Sequence, residues 1–384
     1  MGVSLWSDEQ ERPVQHLRVI DMTVMIPGPF LTRLLAQYGA DVIKVEATPD
    51  GDPLRHWPET AVFEFLNQGK RSVAIDLKSE TGKQLVRSLA GEADIFIENA
   101  PAGEMESLGL GYAELSEENP DLLYVSLRNL SGKGASSAGS ELNAIANSGV
   151  GEWFLNGGKP NYSTLFGDLV GGAFVPAMKL LFHLANPARR GMHLVTSTDE
   201  SFRSLYLPRA FDQYKAESLP EADAKNFGLH RYFNGSMAHS RYYQCRDGQW
   251  ISLNAAQEKH WNAFCEVVDR KAWISRRFDP SLVSEVEKLF QDAPSTYWEA
   301  LAHDRHVCLV RVIPWNDHMS FSEARPQLAT DPMTWAGFAM NTALTPAPTL
   351  GRDTFAVAHS VGASNKEIAD WIQAGILKGP EKNS

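Results

Sequence analysis

Leu17-Arg18-Val19-Ile20-Asp21-Met22, then Ile26-Pro27-Gly28-Pro29, then an apolar face made by Phe30, Leu31, Leu34 and Leu35 that stops at Gly39, then Asp41-Val42-Ile43-Lys44-Val45-Glu46, occupy residues 17–46 in that order. A short apolar run, a break, a face repeating at helical spacing and a second apolar run predict strand, turn, helix, strand. That is the opening of a parallel α/β sheet with a right-handed crossover. The break at Ile26 to Pro29 reads as a loop at the carboxyl end of the first strand, where open α/β sheets place ligands. It is not GxGxxG, so the dinucleotide fingerprint is absent.

The pattern repeats outward from there. Asn67-Gln68-Gly69-Lys70-Arg71-Ser72 leads into the strand-like Val73-Ala74-Ile75-Asp76-Leu77-Lys78, and Ser79 to Ala90 reads as a capped helix. Asp94-Ile95-Phe96-Ile97-Glu98-Asn99 and Leu122-Leu123-Tyr124-Val125-Ser126-Leu127 are further strands. The fold class is therefore α/β, with a large Rossmann-like domain; the alternation runs to about Thr198. After the irregular stretch Gly228 to Met237, Tyr242 to Leu253 reads as a hairpin turning at Asp247-Gly248, which opens a smaller α+β domain. Gln257 to Phe290 reads as mostly helical and Val307 to Ile313 as a strand. Pro326, Pro332, Pro346 and Pro348 mark an extended return segment, and Asn365 to Gln373 a last helix with Ile368, Trp371 and Ile372 on one face. The expected domains are 1–224 (large), 225–325 (small) and 326–384 (the return segment, packing on the large domain).

A net charge of -11 argues against a nucleic-acid partner, whose binders carry a basic face. No run approaches the ~20 apolar residues of a membrane helix and no signal-peptide core precedes the first strand, so a cytoplasmic protein without a membrane partner is expected. Cys245, Cys265 and Cys308 are odd in number and far apart, which predicts buried free thiols rather than disulfides or a CxxC site. No His pair has HxxxH or HExxH spacing, so no metal is expected.

One carboxylate stands out. In Phe166-Gly167-Asp168-Leu169-Val170-Gly171-Gly172-Ala173-Phe174 the aspartate falls in the first turn of a helix continued by Val175 to Phe182. A helix cap and a catalytic carboxylate both fit these residues. The small, polar Ser131 to Gly139, with Lys133, reads as a loop able to face a phosphate or thioester, or as a linker.

Ile26-Pro27-Gly28-Pro29-Phe30, Gly39 to Glu46, Gly69-Lys70-Arg71-Ser72 with Asp76-Leu77-Lys78, and Gly167 to Gly172 together resemble the CaiB/BaiF family, the family III CoA-transferases, which also holds the α-methylacyl-CoA racemases. Ala324-Arg325-Pro326-Gln327-Leu328 and Leu350-Gly351-Arg352-Asp353-Thr354 extend the likeness through the tail. The resemblance implies an intertwined, ring-like homodimer and a CoA-transferase that moves CoA from an acyl-CoA thioester to a carboxylic acid through covalent aspartyl intermediates on Asp168. Acyl-CoA and the acid are then substrates, and no cofactor is permanently bound. By the same likeness CoA lies along Ile75, Asp76, Leu77 and Lys78, along Asn99, Ala100 and Pro101, and near Gly139, Ser140 and Glu141, with Lys70 and Arg71 offsetting diphosphate charge.

The chain departs from the family pattern at Ala47 and Ser107, where arginines are frequent, and at Ser140, where racemases carry the histidine base. A serine hydroxyl has no accessible pKa for taking an α-proton, which favours the transferase. The alternatives are a racemase, epimerase or isomerase pairing Asp168 with Glu141, His230 or His239, and a non-catalytic acyl-CoA-binding homologue. Trp153, Phe154, Tyr162, Tyr232 and Phe233 are candidates for an acyl pocket.

Overall fold

A computed structural model of the chain describes residues 13–57, 61–132, 139–151, 165–186, 188, 190–224, 227–228, 235–313 and 345–380. Lys133, His230, the five acyl-pocket candidates, Pro326, Pro332 and the Ala324 to Leu328 turn lie outside the described residues. The described residues form two compact units, one drawn from 13–205 and 345–380, the other from 206–313.

The first unit is built on a seven-stranded sheet. Its strands are β1 (Arg18–Asp21), β2 (Asp41–Ala47), β3 (Arg71–Ile75), β4 (Ile95–Glu98), β5 (Leu123–Arg128) and β6 (Met192–Ser197), all parallel, with a short antiparallel Leu377–Lys378 on the β3 edge. Strand order is β3-β2-β1-β4-β5-β6. The order reverses between β1 and β4, and a crevice opens beyond the carboxyl ends of strands at such a reversal. Side chains alternate across the sheet as a period of two demands: Ile95, Ile97, Leu123 and Val125 enter one core, Phe96 and Tyr124 the other. Helices Pro27–Gln37 and Val175–Leu184 cover the first face through Leu31, Leu34 and Leu180. Glu80–Gly91, Thr354–Ser360 and Asn365–Gln373 cover the second through Leu85, Val86, Val357 and Ile368.

The break after β1 corrects the sequence reading. Pro27, Gly28 and Pro29 are not a loop but the first turn of the helix. A proline at the first helical position loses an N–H that has no intrahelical acceptor anyway, and its φ is already helical. The hairpin forms as expected, Ser240–Gln244 (β7) against Trp250–Asn254 (β8), with Leu309–Arg311 (β9) as the third strand of the second unit. Stacked Tyr243, Phe264 and Phe290 anchor that unit's core. Cys245 and Cys265 are buried free thiols, whereas Cys308 is exposed, against expectation. Among the described residues no helix is long and apolar enough to cross a membrane.

Candidate active site

Asp168 stands in the first turn of a π-helix, Gly167–Phe174, which passes directly into the α-helix Val175–Leu184. Val175 N donates to Val170 O, the i to i−5 bond of the wider coil, a form that concentrates at functional sites. Glycines set where it lies. A Cβ on Gly171 would come 2.9 Å from the Thr198 carbonyl oxygen, and one on Gly172 2.7 Å from Pro27 Cβ. The helix is thus seated against the turn after β1 and the segment after β6, both at carboxyl ends of the sheet. Gly172→Val is expected to destabilise the fold by about 1–3 kcal/mol through overpacking on Pro27, read as a lower urea midpoint with unchanged slope.

Asp168 as a residue is 9% exposed, and among the described residues its carboxyl caps no helix and has no charged neighbour but Glu141. Burial, followed by the nearby charge of Glu141, pushes its pKa up to about 6. It is therefore not the cap of its own helix. Glu141 does that work: its Oε2 accepts from Leu165 N at 3.0 Å and its Oε1 from Gly167 N at 2.7 Å. Ser140, expected at the CoA site, is an exposed N-cap of helix Glu141–Asn147, its N and Oγ 3.0 and 3.1 Å from Asn143 Oδ1. Gly139 precedes it, with its carbonyl accepting from Asn129 Nδ2. Asp199 ties this segment to the chain after β6 by accepting from Ser131 and from Asn147 Nδ2 at 2.6 Å.

The remaining candidates divide between the two ends of the sheet. Ile75 ends β3, Asp76 accepts from Lys78 N at 3.0 Å in the turn beyond it, and Leu77 is half-buried. Asn99, Ala100 and Pro101 follow β4, and Ala100 N donates to Glu98 Oε2 at 2.8 Å. Asn99 exchanges two 2.9 Å bonds with the Val24 backbone, pinning the turn after β1 to the turn after β4 across the strand-order reversal. All of these lie at carboxyl ends.

The backbones of Lys70 and Arg71, the other two residues expected near CoA, do not. They stand at the amino end of β3. Arg71 forms a two-pronged pair with Asp41. Lys70 is buried, and its three N–H donors go to Asp21 Oδ2 (3.0 Å), Pro29 O (3.0 Å) and Asn67 Oδ1 (2.9 Å). Sequence reasoning missed the buried charges beneath the first turn altogether. Asp21 also accepts from Thr23 and Thr32, Lys44 donates to Thr23 O at 2.8 Å, and Asp52 accepts from Met25 N at 3.2 Å. Met25 is held there with φ 68°, a left-handed backbone rare for a residue with a side chain. The only signal in the sequence was the charged Asp21 and Lys44 inside otherwise apolar strands.

The sequence model described as CoA-transferase family III matches residues 14–354. The chain belongs to this family. Like its relatives, this family III CoA-transferase is an enzyme of CoA transfer. It is 31% identical over 276 residues to succinyl-CoA:mesaconate CoA-transferase of Haloarcula hispanica, a match spanning 67% of each chain. It is 30% identical over 325 residues to the probable fatty acyl-CoA transferase Rv3272 of Mycobacterium tuberculosis, covering 76% of this chain and 80% of that one. A solved CAIB/BAIF family protein from Brucella suis has the same fold, with a TM-score of 0.71 at 21% identity over 92% of this chain and all (100%) of that one.

Proposed function

We propose that this enzyme exchanges CoA between an acyl-CoA and a free carboxylic acid, with Asp168 as the nucleophile. One observation carries the reading: a carboxylate almost withdrawn from water, on a helix whose amide donors are capped by another residue. A hydrated carboxylate attacks a thioester poorly because its lone pairs are solvated; burial without a donor removes that stabilisation.

The steps balance without any proton transfer. An Asp168 oxygen attacks the thioester carbonyl, the C–S bond breaks, and CoA leaves as thiolate from a mixed anhydride. The thiolate then attacks Asp168 Cγ, releasing the donor acid as carboxylate and leaving an aspartyl-CoA thioester. The acceptor carboxylate attacks Cγ in turn, forming a second anhydride, and the thiolate attacks the acceptor's carbonyl to give the new acyl-CoA and free Asp168. No general acid or base is consumed, which suits a site whose aspartate has no histidine partner among the described residues. A two-base racemase is less well supported, because Ser140 is engaged in capping and both Glu141 oxygens in backbone bonds.

CoA enters as a substrate along Asp76 to Lys78 and Asn99 to Pro101. Relatives that are CoA-transferases for mesaconate, glutarate and (R)-2-hydroxy-4-methylpentanoate are consistent with a carboxylic acid as acceptor. A homodimer is supported by apolar side chains left in solvent, with Met178, Leu181 and Phe182 on one helix and Leu207, Phe211 and Tyr214 on another. The test is peptide mass spectrometry after incubation with an acyl-CoA panel and a hydroxylamine or borohydride quench. A hydroxamate or reduced product at Asp168 is expected; turnover without any adduct there sinks the proposal.

The pH dependence follows from the ionisation. The nucleophile is the anion and its pKa is raised to about 6, so activity is lost as pH falls through 6. Below that point kcat/KM should drop about tenfold per pH unit, with an acid limb about two units above that of an ordinary aspartate. A limb near 4 would contradict burial of the nucleophile.

A further inference from the structure

The π-helix that carries Asp168 does not cap itself. Leu165, two residues before its first residue, has φ 63°, a left-handed backbone that leucine rarely adopts. The following amides of the entrance are held from outside by Glu141, reached across 24 and 26 residues of chain. Glu141 is free to do so because Ser140 and Asn143 cap its own helix. It is 9% exposed, and among the described residues it forms no ion pair. Gly167 makes room for it: a Cβ there would come 2.9 Å from Glu141 Cγ. A buried, unpaired carboxylate is costly unless backbone donors compensate it, so two such donors at one helix entrance define a built contact.

We propose that Glu141 is the positioning residue of the nucleophile, fixing the entrance of the π-helix through the Leu165 and Gly167 amides and so keeping those donors away from Asp168. The inference rests on the reading of Asp168 as nucleophile. Were Glu141 absent, the freed amides at the start of the helix would become donors for the aspartate in its first turn, which would reach back to them as the first-turn carboxylate of a capping box does. A capped aspartate is stabilised as an anion and a poorer nucleophile. Glu141 thus acts twice, by geometry and by a like charge that opposes ionisation of Asp168. Four other charged groups on the packed elements are engaged elsewhere. Asp199 accepts from Ser131 and Asn147, Arg203 donates to the Ser148 and Asn147 carbonyls, and Arg33 donates to Phe65 O and Gln37. Lys179 donates to Thr196 Oγ1 at 3.0 Å.

The test uses full-length protein and needs no substrate. Amide hydrogen exchange at Leu165 and Gly167, and the titration of Asp168 followed by carboxyl-carbon NMR with Asp168→Asn as the assignment control, are measured in Glu141→Gln and Glu141→Asp. In Glu141→Gln protection at both amides is expected to fall at least about tenfold. The Asp168 titration should move down by about half to one unit. Glu141→Asp, which keeps the charge, should hold the titration near the wild-type value. Sheet amides serve as the internal control for folding. If the Gln variant loses protection everywhere, Gly167→Ala displaces the same carboxylate without altering charge, and selective loss at Leu165 is again expected. Unchanged protection together with an unchanged titration overturns the proposal. Failure of the nucleophile reading is seen separately, as capture chemistry that persists in Asp168→Asn.

Discussion

Asp168→Asn is expected to lower CoA-transfer turnover by about 10⁴-fold or more and to abolish hydroxylamine capture at this position, because loss of a covalent nucleophile leaves only binding and positioning to act. The same substitution should make the protein more stable at neutral pH. A carboxyl raised from 3.8 to about 6 favours its protonated form in the fold, so the folded state binds more protons than the unfolded chain between those values. Stability contributed by that group is therefore lost as pH rises through the interval, and at pH 7 the ionised side chain costs about 2–3 kcal/mol. Asparagine has nearly the same shape and no charge, so its unfolding free energy should exceed wild type by an amount of that order at pH 7 and match it near pH 4. An inactive variant that is also less stable at pH 7 would mean that Asp168 supports the fold. Retention of more than a hundredth of the activity would end its role as nucleophile.

The parallel sheet was legible because buried parallel strands read as short apolar runs: β1, β2, β4 and β5 match theirs within one residue at each end, whereas β3 starts two and ends three residues earlier than the run Val73 to Lys78. Leu377–Lys378 was not, since two residues carry no periodicity. The turn after β1 was misread for a local reason: Pro-Gly-Pro signals a break when taken by itself, yet prolines are acceptable in the first turn of a helix. Asp168 could be placed at a helix start, but the pattern of side chains cannot separate a π-helix from an α-helix, and the deciding contacts, Gly171 on Thr198 and Gly172 on Pro27, are distant in sequence. The partners of Lys70 and Arg71 were hidden for the same reason. The family resemblance set them near diphosphate charge, and only the three-dimensional arrangement reveals that they stand at the amino end of β3, paired with Asp21 and Asp41. The family resemblance set CoA near Glu141; the amides it accepts from lie 24 and 26 residues further on, beyond residues whose chemistry gave no hint of them.

Lys70→Met is the second large effect expected, this time on the fold. Lys70 and Asp21 are both withdrawn from water, and burial alone would drive the carboxyl towards its neutral form. Lys70, with Lys44 behind it, instead holds Asp21 well below the usual carboxylate range. Removing the ammonium leaves Asp21 with hydroxyl and amide donors and only the Lys44 charge, and frees the carbonyl of Pro29 and the amide oxygen of Asn67 from their donor. Breaking a buried pair from one side costs about 3–5 kcal/mol, a large part of a typical 5–15 kcal/mol stability. The loss should show in urea unfolding as a lower midpoint. Lys70→Met combined with Asp21→Asn should recover most of it, because the principal penalty lies in the charge left behind rather than in the attraction lost. The same pair supports the Pro27 to Pro29 turn on which Gly172 rests, so the single variant should also loosen the seat of the Asp168 helix. If Lys70→Met proves as stable as wild type, these charges do not hold the turn, and the packing of Pro27 against Gly172 must position the nucleophile by itself.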